Sequence, residues 1–365
     1  DVDVTVKEKD SGNLLAGVGY SQSQGIIFNS SITQNNFLGT GKRVSFAFNN
    51  SSSNRLYRLG YTNPYYTIDG ISRGFELSYR ETDFADLDSA DFVTNVGVAG
   101  MSFGLPISDT SRAGLSIRYQ YTDFEAGTSL LAVDFVEENG DQFNDFVFTA
   151  SYTNDSRDSA IFPTSGGLQS LLAEVAVPGS DLEYYRLTYR HRRFIPLTSR
   201  FTLALNADLG YGAGMGDTDS LPFFENFFAG GPRSVRGWKE NTLGSRETTL
   251  DRDPVGGNAK ITGSIEVFAP PPIGGDFEKS LRLGAFFDFG NVWWTEDSPN
   301  LRIDGVDTDL VSPTGFSLGD IRYSVGLSAV WLSPVGALSL SLAYPLNEKD
   351  GDDTQVFQFG FGQTF

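Results

Sequence analysis

Only one histidine, His191, is available for acid–base work, and it sits in the basic run Arg190-His191-Arg192-Arg193. A serine hydrolase needs a histidine as base and an acidic group to orient the imidazole. No acidic orienter stands near His191, which shares a strand row with Tyr185, Leu187, Tyr189 and Ile195. It therefore reads as an interface residue on a membrane-facing row. Two acidic groups, Asp304/Asp307/Asp309 and the run Asp350-Gly351-Asp352-Asp353, carry the oxygen ligands that a divalent cation takes. Both read as solvated turns. Zinc-type spacing and a phosphate-binding glycine loop are missing, and with no cysteine there is neither a thiolate site nor a disulfide. No catalytic residue, metal or cofactor is expected. The remaining concentration of chemistry is Gly230-Gly231-Pro232-Arg233-Ser234-Val235-Arg236-Gly237-Trp238. Taken alone, Arg236 reads as a solvated loop arginine.

The elements around these residues alternate with period two. Ile261, Gly263, Ile265, Val267 and Ala269 alternate with Lys260, Thr262, Ser264, Glu266 and Phe268. In the next segment Leu281, Leu283, Ala285, Phe287 and Phe289 alternate with Arg282, Gly284, Phe286, Asp288 and Gly290. Glu266 and Asp288 thus fall on the polar rows of two consecutive strands. At the end of the chain Phe357, Phe359, Phe361 and Phe365 share one face, and Gln358, Gly360, Gly362 and Thr364 the other. An apolar row toward lipid and a polar row toward a wet lumen mark a membrane barrel, although a soluble sandwich alternates too.

Loop lengths separate the two readings. The pattern predicts about sixteen antiparallel strands, an even number as in bacterial barrels. They begin near 12, 25, 41, 54, 71, 90, 111, 143, 167, 182, 199, 257, 280, 321, 336 and 354. Connections such as 36–40, 106–110, 196–198 and 333–335 are short. Those at 125–142, 213–256 and 291–320 are long and rich in Asp, Gly, Pro and Ser. Short inner turns opposite long outer loops are the usual asymmetry of an outer-membrane barrel. No apolar run is long enough for a spanning helix, so a membrane crossing must use a closed barrel. The excess of Asp+Glu (46) over Lys+Arg (27), a net charge of −19, argues against a nucleic-acid partner.

With the barrel in place, the loop motif becomes informative. Val235-Arg236-Gly237-Trp238 resembles the Val-Arg-Gly-aromatic motif of the outer-membrane assembly and secretion superfamily, with Trp where Phe or Tyr is commoner. Asn35-Asn36-Phe37-Leu38-Gly39-Thr40-Gly41, Asn63-Pro64-Tyr65-Tyr66-Thr67-Ile68-Asp69-Gly70, and Asn154-Asp155-Ser156-Arg157-Asp158 followed by Phe162-Pro163-Thr164 extend the likeness. So does the ending Phe357-Gln358-Phe359-Gly360-Phe361-Gly362-Gln363-Thr364-Phe365. Within the superfamily the chain is most similar to the barrel component of the β-barrel assembly machinery. The resemblance covers residue 12 onward.

It implies a sixteen-stranded transmembrane β-barrel, all-β, whose loop 213–256 folds back into the lumen so that Arg236 pairs with Glu266 and Asp288. It implies an insertase that folds other barrels into the bacterial outer membrane without consuming nucleotide. The lateral gate would lie between the first strand, weakened by Gly12, Gly17 and Gly19 and including Leu15, and the last, with Gly360 and Gly362. From the residues alone, those glycines equally serve to relieve crowding inside a curved wall. Phe357, Phe359 and Phe365 resemble the recognition signal of barrel clients. Implied partners are unfolded outer-membrane proteins, accessory lipoproteins, and outer-membrane lipids with lipopolysaccharide. Residues 1–11 are expected to be the remnant of a POTRA-type periplasmic domain and its linker. A two-partner secretion or autotransporter-assembly barrel is the near alternative, and a passive porin the distant one.

Overall fold

The computed structural model describes residues 11–248, 252–272, 280–303, 306–333 and 336–362. Phe365, Asp304 and the first ten residues lie outside the described residues. Sixteen antiparallel strands form a closed barrel in sequence order. They are β1 (Gly12–Ser21), β2 (Gly25–Gln34), β3 (Arg43–Asn50), β4 (Asn54–Asn63), β5 (Ser72–Asp83), β6 (Phe92–Pro106), β7 (Ser111–Ala126) and β8 (Gln142–Asp155). The wall continues through β9 (Gly166–Ala176), β10 (Tyr184–Pro196), β11 (Thr202–Gly214), β12 (Ala259–Ala269), β13 (Leu281–Trp293), β14 (Arg322–Ser333), β15 (Gly336–Pro345) and β16 (Phe357–Phe361). These strands start within a few residues of the positions predicted by alternation.

The two faces of the wall are chemically opposite. Leu59, Leu77, Phe148, Leu187 and Leu327 stand exposed on the outside, whereas Thr122, Asp145, Thr262 and Gln358 are buried on the inside. Exposed apolar rows on every side would make a soluble protein aggregate, and in a bilayer they are the lipid contact. Among the described residues no helix is long and apolar enough to cross a membrane.

Two departures from the sequence reading lie at the long-loop end. The connection 125–142, read as an acidic loop, contains the helix α1 (Leu130–Asn139). Ser129 caps it, its hydroxyl accepting from the Ala132 N–H at 3.0 Å. Helix formation is driven by tertiary burial: Leu131 and Ala132 pack into a cluster with Phe92, Phe124, Phe143 and Phe223. Phe223 meets Phe92 and Phe124 edge-on, with centroids 4.9 and 5.7 Å apart. The final barrel strand begins at Phe357, because Thr354–Gln355 leaves the wall to pair with Gly237–Trp238 of the long loop.

Candidate functional site

The segment between β11 and β12 runs through the barrel interior. Arg186 of β10 fixes its near end, donating to Glu225 at 2.7 Å. Phe227, Ala229, Val235, Trp238 and Leu243 then bury together against Val292 of β13. Gly237 adopts φ +97°, and a Cβ there would lie 3.3 Å from the Cβ of Ala343 on β15. A side chain at this position would strain the backbone and crowd the wall, so glycine lets the motif lie flat on it.

This seating delivers Arg236 to the two carboxylates. Asp288 receives Nε at 2.7 Å and Nη2 at 2.8 Å, and its Oδ2 also accepts the Arg236 backbone N–H at 3.1 Å. Glu266 receives Nη1 and Nη2 at 3.3 and 3.2 Å, and Ser264 Oγ accepts from Nη2 at 3.2 Å. The guanidinium lies 3.3 Å over the ring of Phe286. Register explains the convergence: Ser264 stands opposite Asp288, and Glu266 opposite Phe286. Ser328 of β14 donates to Glu266 from the other side. Arg236, Glu266 and Asp288 are only 9, 5 and 1 % exposed, which makes this a buried network. Burial alone would lower the Arg236 pKa, but the hydrogen bonds and charge of Asp288, then Glu266, outweigh it and raise the value. A planar fork can satisfy both carboxylates and stack on Phe286 at once, which an ammonium cannot. Ser264, Phe286 and Ser328 were not singled out from the sequence. Phe286 carried a usable signal, an aromatic on a polar row two residues from Asp288.

The second feature is the seam. β1 is paired with β2 along its whole length, from Gly12 opposite Gln34 to Ser21 opposite Gly25. With β16 it registers only at Tyr20–Phe361 and Ser21–Gly360. Among the described residues, the edge of β1 over residues 12–18 has no strand partner. Leu14, Leu15 and Val18 on it are 68, 59 and 58 % exposed, and Gly17 has open space where a Cβ would sit. At the last described residue, Gly362 takes φ +72°, and a Cβ on it would lie 2.9 Å from the Gly19 Cα. Its N–H donates to the Ala337 carbonyl at 2.7 Å, continuing the pairing with β15. On β16, Phe357 is exposed, Phe359 lies 5.9 Å from the Tyr20 ring, and Gly360 is buried.

The remaining candidates separate from this site. His191 touches the Tyr189 hydroxyl through Nδ1 at 3.4 Å and faces Gln169 and Ala207 across the strands. Asp309, Asp350 and Asp353 are exposed, but Asp352 is not the solvated residue expected. Asp352 takes a fork from Arg322 at 2.7 and 2.9 Å, and Asp353 pairs with Arg246 at 2.8 Å. Arginines recruited from β14 and from the lumen loop account for the difference. Among the described residues no three His, Cys, Asp or Glu side chains gather as a metal site.

A family model described as the Omp85 superfamily domain matches residues 36–365. The chain belongs to the Omp85 superfamily. It is 31 % identical to the outer membrane protein assembly factor BamA of Neisseria meningitidis over its whole length, covering 48 % of that protein. With BamA of Nitratidesulfovibrio vulgaris the identity is 27 %, again over the whole chain and 43 % of the relative. A SAM50-like protein of Drosophila melanogaster shares 23 %, over 100 % of this chain and 79 % of that one. The chain thus spans about half the length of the BamA relatives. The crystal structure of Haemophilus ducreyi BamA lacking POTRA domains 1–3 superposes with a TM-score of 0.86 at 28 % identity, covering 97 % of this chain and 70 % of that one. CdiB of Escherichia coli, at 15 % identity and a TM-score of 0.58 over 98 % of this chain and 63 % of that one, shares the fold alone. As an Omp85 barrel with lipid-facing apolar rows, the protein resides in the bacterial outer membrane.

Proposed function

We propose that this chain is the membrane-embedded part of an assembly factor that folds β-barrel proteins and inserts them into the outer membrane. The gate lies between β1 and β16. One observation carries the reading: among the described residues β1 registers with β16 at two pairs, against ten with β2. An unpaired edge offers a row of N–H and C=O groups to an arriving strand, which then gains main-chain hydrogen bonds at no cost in specificity of side chains. Strands β2 to β15 are each paired with both neighbours. The names of the BamA and SAM50 relatives support the same activity. No covalent bond is made or broken in it, so its driving force is the pairing and lipid burial of the client itself.

The partners in this reading are unfolded outer-membrane proteins, with accessory lipoproteins and lipopolysaccharide at the two ends of the barrel. Arg236 and its carboxylates serve as an internal brace on β12 and β13, away from the gate. Val235 and Trp238 bury the motif, and Gly237 fits it to β15.

The experiment is a disulfide across the registered pair, Tyr20→Cys with Phe361→Cys. The oxidised protein should lose assembly of a client barrel into vesicles, and reductant should restore it. Full assembly with crosslinking complete would remove the gate. In planar bilayers, a barrel filled by its own loop should conduct little, and steady conductance without assembly would instead identify a porin.

A further inference from the structure

The two edges of the seam are joined twice. Among the described residues they pair directly at Tyr20–Phe361 and Ser21–Gly360, with the Phe359 N–H reaching Gln22 Oε1 at 2.9 Å and its ring 5.9 Å from that of Tyr20. Indirectly both are fastened to the lumen loop. On the β16 side, Gln358 donates from Nε2 to the Trp238 carbonyl at 2.8 Å. Gly237–Trp238 pairs with Thr354–Gln355, and the Lys239 N–H bonds the Asp353 carbonyl at 2.9 Å. On the β1 side, Ser23 in the β1–β2 turn donates its hydroxyl to the Glu240 carboxylate. Glu240 is buried and braced by Arg233 at 2.8 Å. The neighbouring Lys239 is tied to Asp88 of the β5–β6 connection at 2.7 Å. Residues 237–240 therefore hold the β1–β2 turn, the β5–β6 connection and the last strand together.

We propose that this strip is the latch of the seam, with Glu240 as the positioning residue that grips β1 while Trp238 grips β16. Glu240 suits this role because a buried carboxylate bonded to a hydroxyl makes a stronger contact than two neutral groups. It also suits it by topology. The loop carrying it is anchored through Arg236 to β12 and β13, on the fixed wall, so the β1 edge is referred to a rigid part of the barrel. A seam held in this way parts at its outer end when the Ser23–Glu240 contact breaks, without unpairing any other strand. Its use in releasing clients rests on the gating function proposed above.

The test compares the full chain with Ser23→Ala, Glu240→Ala, Glu240→Gln, Glu240→Met and the double alanine variant in phosphatidylcholine vesicles, by hydrogen exchange over residues 17–21. Each single alanine should speed exchange there about tenfold, the scale of one lost hydrogen bond. The double variant should add nothing, because both changes remove one contact. Glu240→Gln keeps an oxygen to receive the Ser23 hydroxyl and should retain most of the protection, whereas Glu240→Met, which fills the same space without that acceptor, should lose as much as alanine. Protection kept by Glu240→Met would mean a space-filling role and overturn the latch. Ser23 lies on a turn outside the strands, so Ser23→Ala carries the test if Glu240→Ala does not fold. Unchanged exchange in the single variants, or additive acceleration in the double, overturns the latch. Faster exchange with undiminished client assembly leaves the latch standing and counts against the gate.

Discussion

Replacing Arg236 by alanine removes the cation from two carboxylates that are 1 and 5 % exposed. Five side-chain hydrogen bonds go with it, to Asp288, Glu266 and Ser264, together with the stack on Phe286. Breaking a buried pair from one side typically costs about 3–5 kcal/mol, because the orphaned charge stays desolvated. Here two like charges are orphaned side by side, so the upper part of that range is expected. Arg236→Lys keeps the charge but not the fork or the stack, and should lose roughly half as much. Glu266→Gln with Asp288→Asn, added to Arg236→Ala, should recover stability, because the repulsion then has no source. The assay is urea unfolding of the barrel in lipid vesicles, followed by the fluorescence of the buried Trp238, Trp293 and Trp294. Strictly additive losses, or a loss for Arg236→Ala below about 1 kcal/mol, as for an exposed pair, would refute the reasoning.

Gly237→Ala must place a Cβ at φ +97° and 3.3 Å from Ala343, which should cost about 1–3 kcal/mol and shift Trp238 emission toward the solvated value. An unchanged spectrum would mean the motif can reseat. Ser129→Ala removes the cap of α1, at a cost of about 1 kcal/mol, and amide protection over Leu130–Asn139 should fall while the strands keep theirs. In the connection after β8, the Thr164 hydroxyl bonded to Asp158 pulls that carboxyl from 3.8 down to about 2. The folded value lies below the unfolded one, so the contribution of Asp158 is complete above about pH 4 and is lost as pH falls through about 2. A carbon-13 titration should find that low midpoint, and Thr164→Val should return it toward 3.8; a midpoint that ignores the valine would point to another cause.

The barrel was legible because its signal is redundant. Each strand repeats the same alternation, and an error in one start does not propagate to the next. Glu266 and Asp288 were legible for the same reason: side-chain parity fixes the face a residue takes. Helix α1 was less so, since its burial depends on Phe92 and Phe223 as well as the nearby Phe124, and those two come from distant segments. Yet Ser129 before Leu130 and Leu131 was a recognisable cap ahead of an apolar run. The pairing of Thr354–Gln355 with Gly237–Trp238 joins segments more than a hundred residues apart, and no local pattern announces it. The fork from Arg322 to Asp352 is of the same kind: an acidic turn looks solvated until the tertiary fold supplies its cation.

The seating of Arg236 also orders events in time. The loop is synthesised between β11 and β12, but its partners Asp288, Ala343, Asp353 and Gln358 all follow it in the chain. While this barrel itself is forming, Arg236 has no carboxylates to dock on until β12 and β13 have been laid down, so the loop-closure entropy of this contact is met only then. A docked Arg236 is accordingly a record that β12 and β13 are in place. A chain stalled before β13 would carry that arginine solvated, an internal check on the wall that the loop braces.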